Sequence, residues 1–491
     1  MHVRDRDYLF GRSTRKVPTE AEIVEMVEAI IPWSEPLPAD REEPFSTAKM
    51  KSLFPEPEVS QLNSVKGVEI KPQIPLGDKL PAGFTYWGQW IAHDIITPTH
   101  PLQNHYSSRQ VTPILNLDSL YGCAQGLPSH IFFDEYGMFK LADNGWDCLR
   151  DCGGAPLLPE PRNNDNAIIL QFHVQWQRVH NRILRMLGGA TPPFLHADPT
   201  VFYTARYFTT CLFHQLVLNE WLPAILDKAV YKYYFSGTLN GSVLMQPDCD
   251  VDRVPFEFSH AAFRFGHSMV RETYKLRGND SFNLHALLTH QPFKGKAIPP
   301  IDWGLFFGEF AQEIQPINLI IVAGMGNIPI ARNIAERNIS AGIKASLATV
   351  HECKYRLCTY YPELARAAGL TLHEEEAVLE ELKIDPMQQS ASFYRLYQDE
   401  RLPLWPYILA EAGAQEDNPG HRLGKLGSII IADVMKFAID QAAPESRASF
   451  SEVPDYGAFL HTFCSDIGVS DQSRLTMADL LTTGENNNER R

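Results

Sequence analysis

The 491-residue chain is short of several things. Only eight residues are cysteine: Cys123, Cys148, Cys152, Cys211, Cys249, Cys353, Cys358 and Cys464. Scattered over this length, with no apolar secretory leader after Met1-His-Val-Arg-Asp-Arg-Asp, they read as reduced thiols rather than a disulfide framework. His351, Cys353 and Cys358 lack a matching second pair, which argues against a zinc site. Cationic charge is also in deficit, 44 Lys+Arg against 59 Asp+Glu for a net charge of −15. That balance argues against a partner whose phosphates must be tracked, so no nucleic-acid partner is expected, although a local basic patch stays open. No apolar run reaches 18 residues, so no bilayer-spanning helix is expected. Together these point to a cytoplasmic chain, with secretion by an unrecognised route left open.

What is present is enough apolar residue, 44%, to build a large core and rule out wholesale disorder. Helical periodicity dominates. Thr19 to Ile31, a stretch from about Phe84, Ile168 to Leu184, Phe202 to Ile225, Ile334 to Tyr360, His373 to Lys383 and Leu426 to Ala442 all repeat apolar residues every three or four positions. Residues 111–165 are rich in Gly, Asp, Asn and Pro and read as a long functional loop region. Strands are expected only in short hairpins, such as Tyr231 to Val243. The fold class is therefore mostly α. The organisation expected is an irregular extension over 1–83 packed on one domain, the domain itself over 84–475, and a polar tail over 476–491.

Four constellations carry chemical potential. In Phe84-Thr-Tyr-Trp-Gly-Gln-Trp-Ile-Ala-His-Asp94, Gln89 and His93 share one helix face while Asp94 points about 100° away. The stretch is either an acid–base histidine beside an amide, or a core helix whose His93 bonds internally. In Thr112-Pro-Ile-Leu-Asn-Leu-Asp118, Thr112, Asn116, Asp118 and the Ile114 carbonyl are hard oxygen donors of the kind calcium collects, or an ordinary polar turn. Arg162 in Pro161-Arg-Asn-Asn-Asp165-Asn is a fixed cation ahead of a helix, and His173 and His180 on that helix read as packing and capping groups rather than metal ligands. In His260-Ala-Ala-Phe-Arg264-Phe-Gly-His267, Gly266 would let a flat group approach the backbone beside an imidazole suited to axial iron ligation, or His267 is a buried core residue.

In this order and spacing, Gly88-Gln89-X-X-X-His93-Asp94, Thr112 to Gly122, Arg162-X-X-Asp165 with His180-Asn181-Arg182, and Phe263-Arg264-Phe-Gly-His267 resemble the peroxidase–cyclooxygenase superfamily, which includes the animal haem peroxidases. The likeness is clearest from about Phe84 to Val270. It continues through Ala335-Glu-Arg-Asn338 and through Leu404-Trp-Pro-Tyr-Ile-Leu409 to Arg422-Leu-Gly-Lys-Leu-Gly427, which look like bacterial members.

The resemblance implies a single-domain haem peroxidase-like helical fold that binds haem and calcium and reduces hydrogen peroxide through a ferryl intermediate, with a small organic or pseudohalide molecule as reductant. It makes His93 the distal histidine, with Gln89 and Arg162 beside it. It makes His267 the iron ligand and Asn338 its hydrogen-bond partner, Asn333 being a weaker candidate. It places calcium at Asp94, Thr112, Ile114 (carbonyl), Asn116 and Asp118. Arg264 and Asp165 fall to cofactor binding, Arg264 by pairing a haem propionate.

Two departures shape the expectation. Ala92 stands where the animal enzymes carry an ester-forming Asp, and Asp165 followed by Asn166 where they carry Glu and, in myeloperoxidase, a sulfonium-linked Met. At most one ester, through Asp165, is available, so non-covalent haem b is expected. Arg264 stands where the dioxygenase branch places a radical-forming tyrosine. That favours a peroxidase over a lipid or natural-product dioxygenase, with a non-catalytic haem-binding protein as the third alternative.

Overall fold

A computed structural model describes residues 7–30, 80–97, 112–122, 131–188, 199–236, 239, 241–245, 253–328, 333–373, 375–383, 392–415, 419–447 and 454–482. Helices α1 (Glu20–Ile30) and α2 (Gly83–Ile95) are followed by the single turn α3 (Asp118–Tyr121) and the long α4 (Ala167–Met186). Then come α5 (Pro199–Leu216), α6 (Leu222–Ile225), α7 (Lys228–Phe235) and α8 (Phe256–His260). Strands β1 (Thr273–Arg277) and β2 (Asp280–Asn283) form an antiparallel hairpin, the sole named sheet among the described residues. Helices α9 (Leu284–Thr289), α10 (Ile334–Lys344), α11 (Val350–Tyr360), α12 (Pro362–Ala368), α13 (Glu376–Glu381) and α14 (Ser392–Gln398) follow. The chain then runs through α15 (Leu404–Gly413), α16 (Lys425–Arg447), α17 (Tyr456–Asp466) and α18 (Met477–Thr482).

The core is aromatic where α2, α4 and α5 meet. Trp90 stacks on Trp176 at 5.5 Å and 13°, and Phe213 sets its edge against both rings at 5.0 Å. All three are fully buried, so the three helices share one desolvated seam. Two glycines let α2 come this close to its neighbours. A Cβ on Gly83 would sit 2.4 Å from the Phe307 ring, and one on Gly88 would lie 3.1 Å from Trp221.

Local chemistry sets the helix ends. Asn166 accepts from the amides of Ile168 and Ile169 at 3.1 and 2.9 Å and starts α4. Pro223 has no amide hydrogen to continue the ladder after α5, and the chain widens into a π turn over Val217–Trp221. The stretch Ile334 to Tyr360, one helix by periodicity, is two. Ser346 turns at φ 55°, and Thr349 with Glu352 forms a capping box that restarts the chain as α11.

Two further differences from the sequence reading are informative. The hairpin expected at Tyr231 to Val243 lies instead at 273–283, turning at Gly278 with φ 57°. Asp227 caps Ala229 and Val230 and makes 228–235 a helix, while the Asp433 carboxylate gathers the amides of Val243, Leu244 and Met245. The segment carrying Arg264 and His267 is not α-helical: α8 ends at His260 and Ala262–His267 continues as 3₁₀ turns, which put residues three apart directly above one another.

At the start of the described chain, Tyr8, Leu9 and Phe10 are buried, and the Glu257 carboxylate accepts from the amides of Leu9 and Phe10 at 2.9 and 2.8 Å. At its end, α18 buries Met477, Leu480 and Leu481, so packing continues past residue 475. Among the described residues no helix is long and apolar enough to cross a membrane.

Candidate active site

Two polar clusters hang on the last turn of α2, one from each of two consecutive residues. His93 and Asp94 are both buried, and a helix rotates successive side chains by about 100°. They serve different neighbours.

His93 Nδ1 lies 2.9 Å from Asn163 Oδ1, and its Nε2 lies 4.0 Å from Asp165 Oδ2. Asn163 lies within the 3₁₀ turn Pro161–Asn164 and Asp165 directly follows it, while Glu160 caps the turn by accepting from the Arg162 amide. Glu160 also clamps Arg162, accepting Nε and Nη2 at 2.9 Å each, while Nη2 donates to the His93 carbonyl at 2.9 Å. These bonds occupy Nε and Nη2, and Nη1 takes part in none of them. Burial, reinforced by the Arg162 cation, lowers His93 to about 4, so the ring is neutral at physiological pH. Burial raises Asp165 to about 7 against the pull of Arg162. Gln89, half-buried one turn earlier, accepts from Asn166 Nδ2 at 3.1 Å. Asn166 thus both caps α4 and fixes Gln89.

Asp94 faces the other way. Its oxygens accept from the amides of Ser119 at 2.8 Å and Leu117 at 3.0 Å. Leu117 adopts φ 62° to aim the loop, an unusual conformation for a leucine. Asp118 accepts from Thr112 Oγ1 at 2.6 Å, and its amide donates to Asn116 Oδ1 at 3.2 Å. The Ile114 carbonyl accepts from the Asn116 amide at 3.1 Å. The segment therefore brings Thr112, Ile114, Asn116 and Asp118 into one loop against Asp94. Burial, then the neighbouring Asp118, raises Asp94 to about 7. Two buried carboxylates within electrostatic reach of each other, ringed by neutral oxygens, are a donor set that suits a hard cation.

On the third cluster, His267 Nδ1 lies 2.8 Å from Asn338 Nδ2, and Asn338 Oδ1 accepts from Arg264 Nη1 at 3.1 Å. Arg264 Nε donates to the Ser259 carbonyl, and Trp405 Nε1 donates to the Arg264 carbonyl at 3.2 Å. Arg264 therefore braces Asn338. By holding the amide oxygen, it turns the amide nitrogen toward the ring, so the bond's polarity is opposite to the expected donation from His267 to Asn338. Asn333 caps α10 through the amides of Ala335 and Glu336, which leaves Asn338 as the partner of His267. Burial, then Arg264 and Arg337, lower His267 to about 3. The ring is half-buried, and a Cβ on Gly266, the residue before it, would meet nothing within 4 Å, so space stands open at Gly266.

The α2 helix and the 3₁₀ segment carrying His267 pack against each other. Arg337 lies within electrostatic reach of both Asp165 and His267. The first and third clusters thus border common ground, and Asp94 with the 112–118 loop stands apart from it. His180 is a packing residue as expected, with Tyr121 Oη 2.9 Å from Nδ1 and the Gly137 carbonyl 3.1 Å from Nε2. Among the described residues there is no group of three or more His, Cys, Asp or Glu that could hold a metal ion.

Sequence reasoning missed Glu160, Asn163 and Arg337. Glu160 carried a signal, a carboxylate two residues before the arginine it clamps. Asn163 carried none, because its partners His93 and His173 lie 70 and 10 residues away.

Residues 137–328, about two-fifths of the chain, match the family model described as animal haem peroxidase. The chain is 26% identical over 299 residues to human peroxidasin homolog, covering 57% of this chain and 18% of that protein. It is 33% identical over 119 residues to the Caenorhabditis elegans peroxidase mlt-7, covering 22% of this chain and 14% of that protein. It spans less than a fifth of the length of these curated relatives. The solved structure of peroxidase A from Dictyostelium discoideum aligns at TM-score 0.48 and 16% identity, over 82% of this chain and 87% of that one.

Glu160 generates a prediction. Burial opposes its charge, but the Arg162 hydrogen bonds and charge hold its pKa below the ordinary range. A depressed carboxylate stabilises above its unfolded pKa and loses that contribution as pH falls through its folded one. Glu160→Gln should therefore cost roughly 1.5–3 kcal/mol at pH 7. The gap to the parent chain should narrow below about pH 4.3, read by urea denaturation.

Proposed function

We propose that the chain is a member of the peroxidase–cyclooxygenase superfamily and works as a haem-dependent peroxidase that reduces hydrogen peroxide and oxidises a small organic or pseudohalide reductant; the match of residues 137–328 to the animal haem peroxidase model supports this. The observation that carries this is a neutral His93 beside a clamped Arg162, on a helix packed against the 3₁₀ segment that presents a second imidazole, His267, one residue after the open space at Gly266.

The donor set fits haem. His267 Nε2, the nitrogen turned away from Asn338, is the atom that would hold the haem iron. Asn338 and Arg264 fix the ring plane, and the remaining Arg264 nitrogen suits a propionate. Asp165 supplies the one carboxylate near His93 Nε2, so haem b is held without covalent bonds or by a single ester at that residue. When bound, haem supplies the redox-active iron at which the peroxide is consumed. The protein's part is proton handling and charge. His93 Nε2 takes the proton peroxide must shed and returns it to the departing oxygen, which leaves as water. Arg162 Nη1 stabilises the negative charge that develops as the oxygen–oxygen bond breaks. Gln89, held by Asn166, orients the incoming molecule.

Calcium fits the Asp94 loop, with carboxylates from Asp94 and Asp118 and neutral oxygens from Thr112, Ile114 and Asn116. It would fix the end of α2, and with it His93.

Two experiments test this. The purified, haem-loaded chain should oxidise a phenol such as guaiacol only when peroxide is added, and Arg162→Ala should keep haem while losing at least 100-fold in rate, the order expected of a lost charge stabiliser. Product from an unsaturated fatty acid and oxygen without peroxide would instead mark a dioxygenase, and no response in either form would mark a non-catalytic haem binder. For calcium, EGTA should lower the melting temperature by several degrees and Asp118→Asn should abolish that response. An unchanged transition would remove calcium from the proposal.

A further inference from the structure

The hydrogen bond on His93 Nδ1 has a direction, and the residues behind it set that direction. Asn163 is wholly buried. Its Nδ2 lies 2.9 Å from His173 Nδ1 and 3.4 Å from the Ser119 carbonyl. A carbonyl only accepts, so this side of the amide must be the nitrogen, which turns Oδ1 toward His93. Oδ1 likewise only accepts, so the proton between the two groups belongs to His93 Nδ1. The chain is anchored at its far end. Burial lowers His173 to about 3, and a neutral His173 that accepts at Nδ1 carries its proton on Nε2. That nitrogen lies 3.3 Å from Gln177 Nε2, while Gln177 Oε1 is buried without a partner; turning the Gln177 amide over exchanges the two atoms and gives the His173 proton its acceptor.

We infer that Asn163, backed by His173 and Gln177, is a positioning residue that locks neutral His93 in the Nδ1–H tautomer and leaves Nε2 as the lone-pair nitrogen facing Asp165. The consequence for catalysis rests on the peroxidase reading; the lock itself does not. A His93 free to choose would spend part of its time with Nε2 protonated, offering a donor where the reaction needs a base. The bonds of Asn163 to the Ser119 carbonyl, to His173 Nδ1 and to His93 Nδ1 share one sense, set by the carbonyl. Reversing the last bond would leave a buried amide facing a like group, at a cost typical of an unsatisfied polar pair. Simple packing predicts none of this, because an apolar side chain of similar size would fill the same volume.

The full-length chain, labelled with ¹⁵N at histidine and loaded with diamagnetic zinc protoporphyrin in place of haem, reports the tautomer by NMR. A His93→Gln spectrum assigns the resonances. The parent chain should show a single His93 form, pyrrole-like at Nδ1 and pyridine-like at Nε2. Asn163→Leu, which can neither accept nor donate, should lose that single form. Asn163→Asp, which keeps an acceptor at the same place, should regain it. In the iron-loaded protein, cyanide association with the ferric centre, which needs a base at Nε2, should slow roughly tenfold or more in Asn163→Leu and recover in Asn163→Asp. Should Asn163→Leu fail to fold, Asn163→Ser, whose hydroxyl stops short of His93, carries the same expectations. A parent spectrum with the proton on Nε2, or an apolar variant that keeps the Nδ1–H form, overturns the inference. If the tautomer follows Asn163 while the loaded chain ignores peroxide, the lock stands and the peroxidase reading falls; the converse pair of results does the opposite.

Discussion

The arrangement depends on burying two ionisable side chains from consecutive residues of one helix without leaving either unpartnered. A polar group taken out of water must find its hydrogen bonds inside the protein. His93 finds Asn163, and Asp94 finds the amides of Leu117 and Ser119. Because adjacent positions diverge around α2, each set of partners comes from a different stretch of chain. One turn of helix therefore ties the loop at 112–122, the 3₁₀ turn at 161–164 and the start of α4 to a single geometry. The aromatic seam of Trp90, Trp176 and Phe213 holds that turn in place.

Charge around the open ground is managed by short clamps. Arg162 is neutralised on one edge by Glu160, and Arg264 spends its donors on Ser259 and Asn338. Neither arginine is a free surface cation. Their fields still act on the two imidazoles, adding to burial in keeping both rings neutral. A neutral ring can take up a proton or hold a metal, and a protonated one can do neither.

Most of this was legible in the sequence wherever a feature is local. The α2 periodicity, the spacing of Gln89, His93 and Asp94, the oxygen-rich stretch from Thr112 and the glycine before His267 all read directly from the chain. What did not read is long-range or directional. Asn163 looks like any loop asparagine until folding places it between His93 and His173. The orientation of Asn338 depends on Arg264, 74 residues away. The Tyr231 to Val243 stretch has the aromatic and β-branched content of a hairpin, but the Asp227 cap and the buried Asp433 carboxylate decide otherwise. Local propensity lost to tertiary hydrogen bonding in each case.

The central claim is that His267 and His93 border one site built for an iron porphyrin. An absorption spectrum of the full-length chain, purified with haem supplied, tests it most directly. The account predicts a Soret band in the parent chain that is lost in His267→Ala and retained in His93→Gln. A colourless parent protein, or a Soret band indifferent to His267, would contradict it.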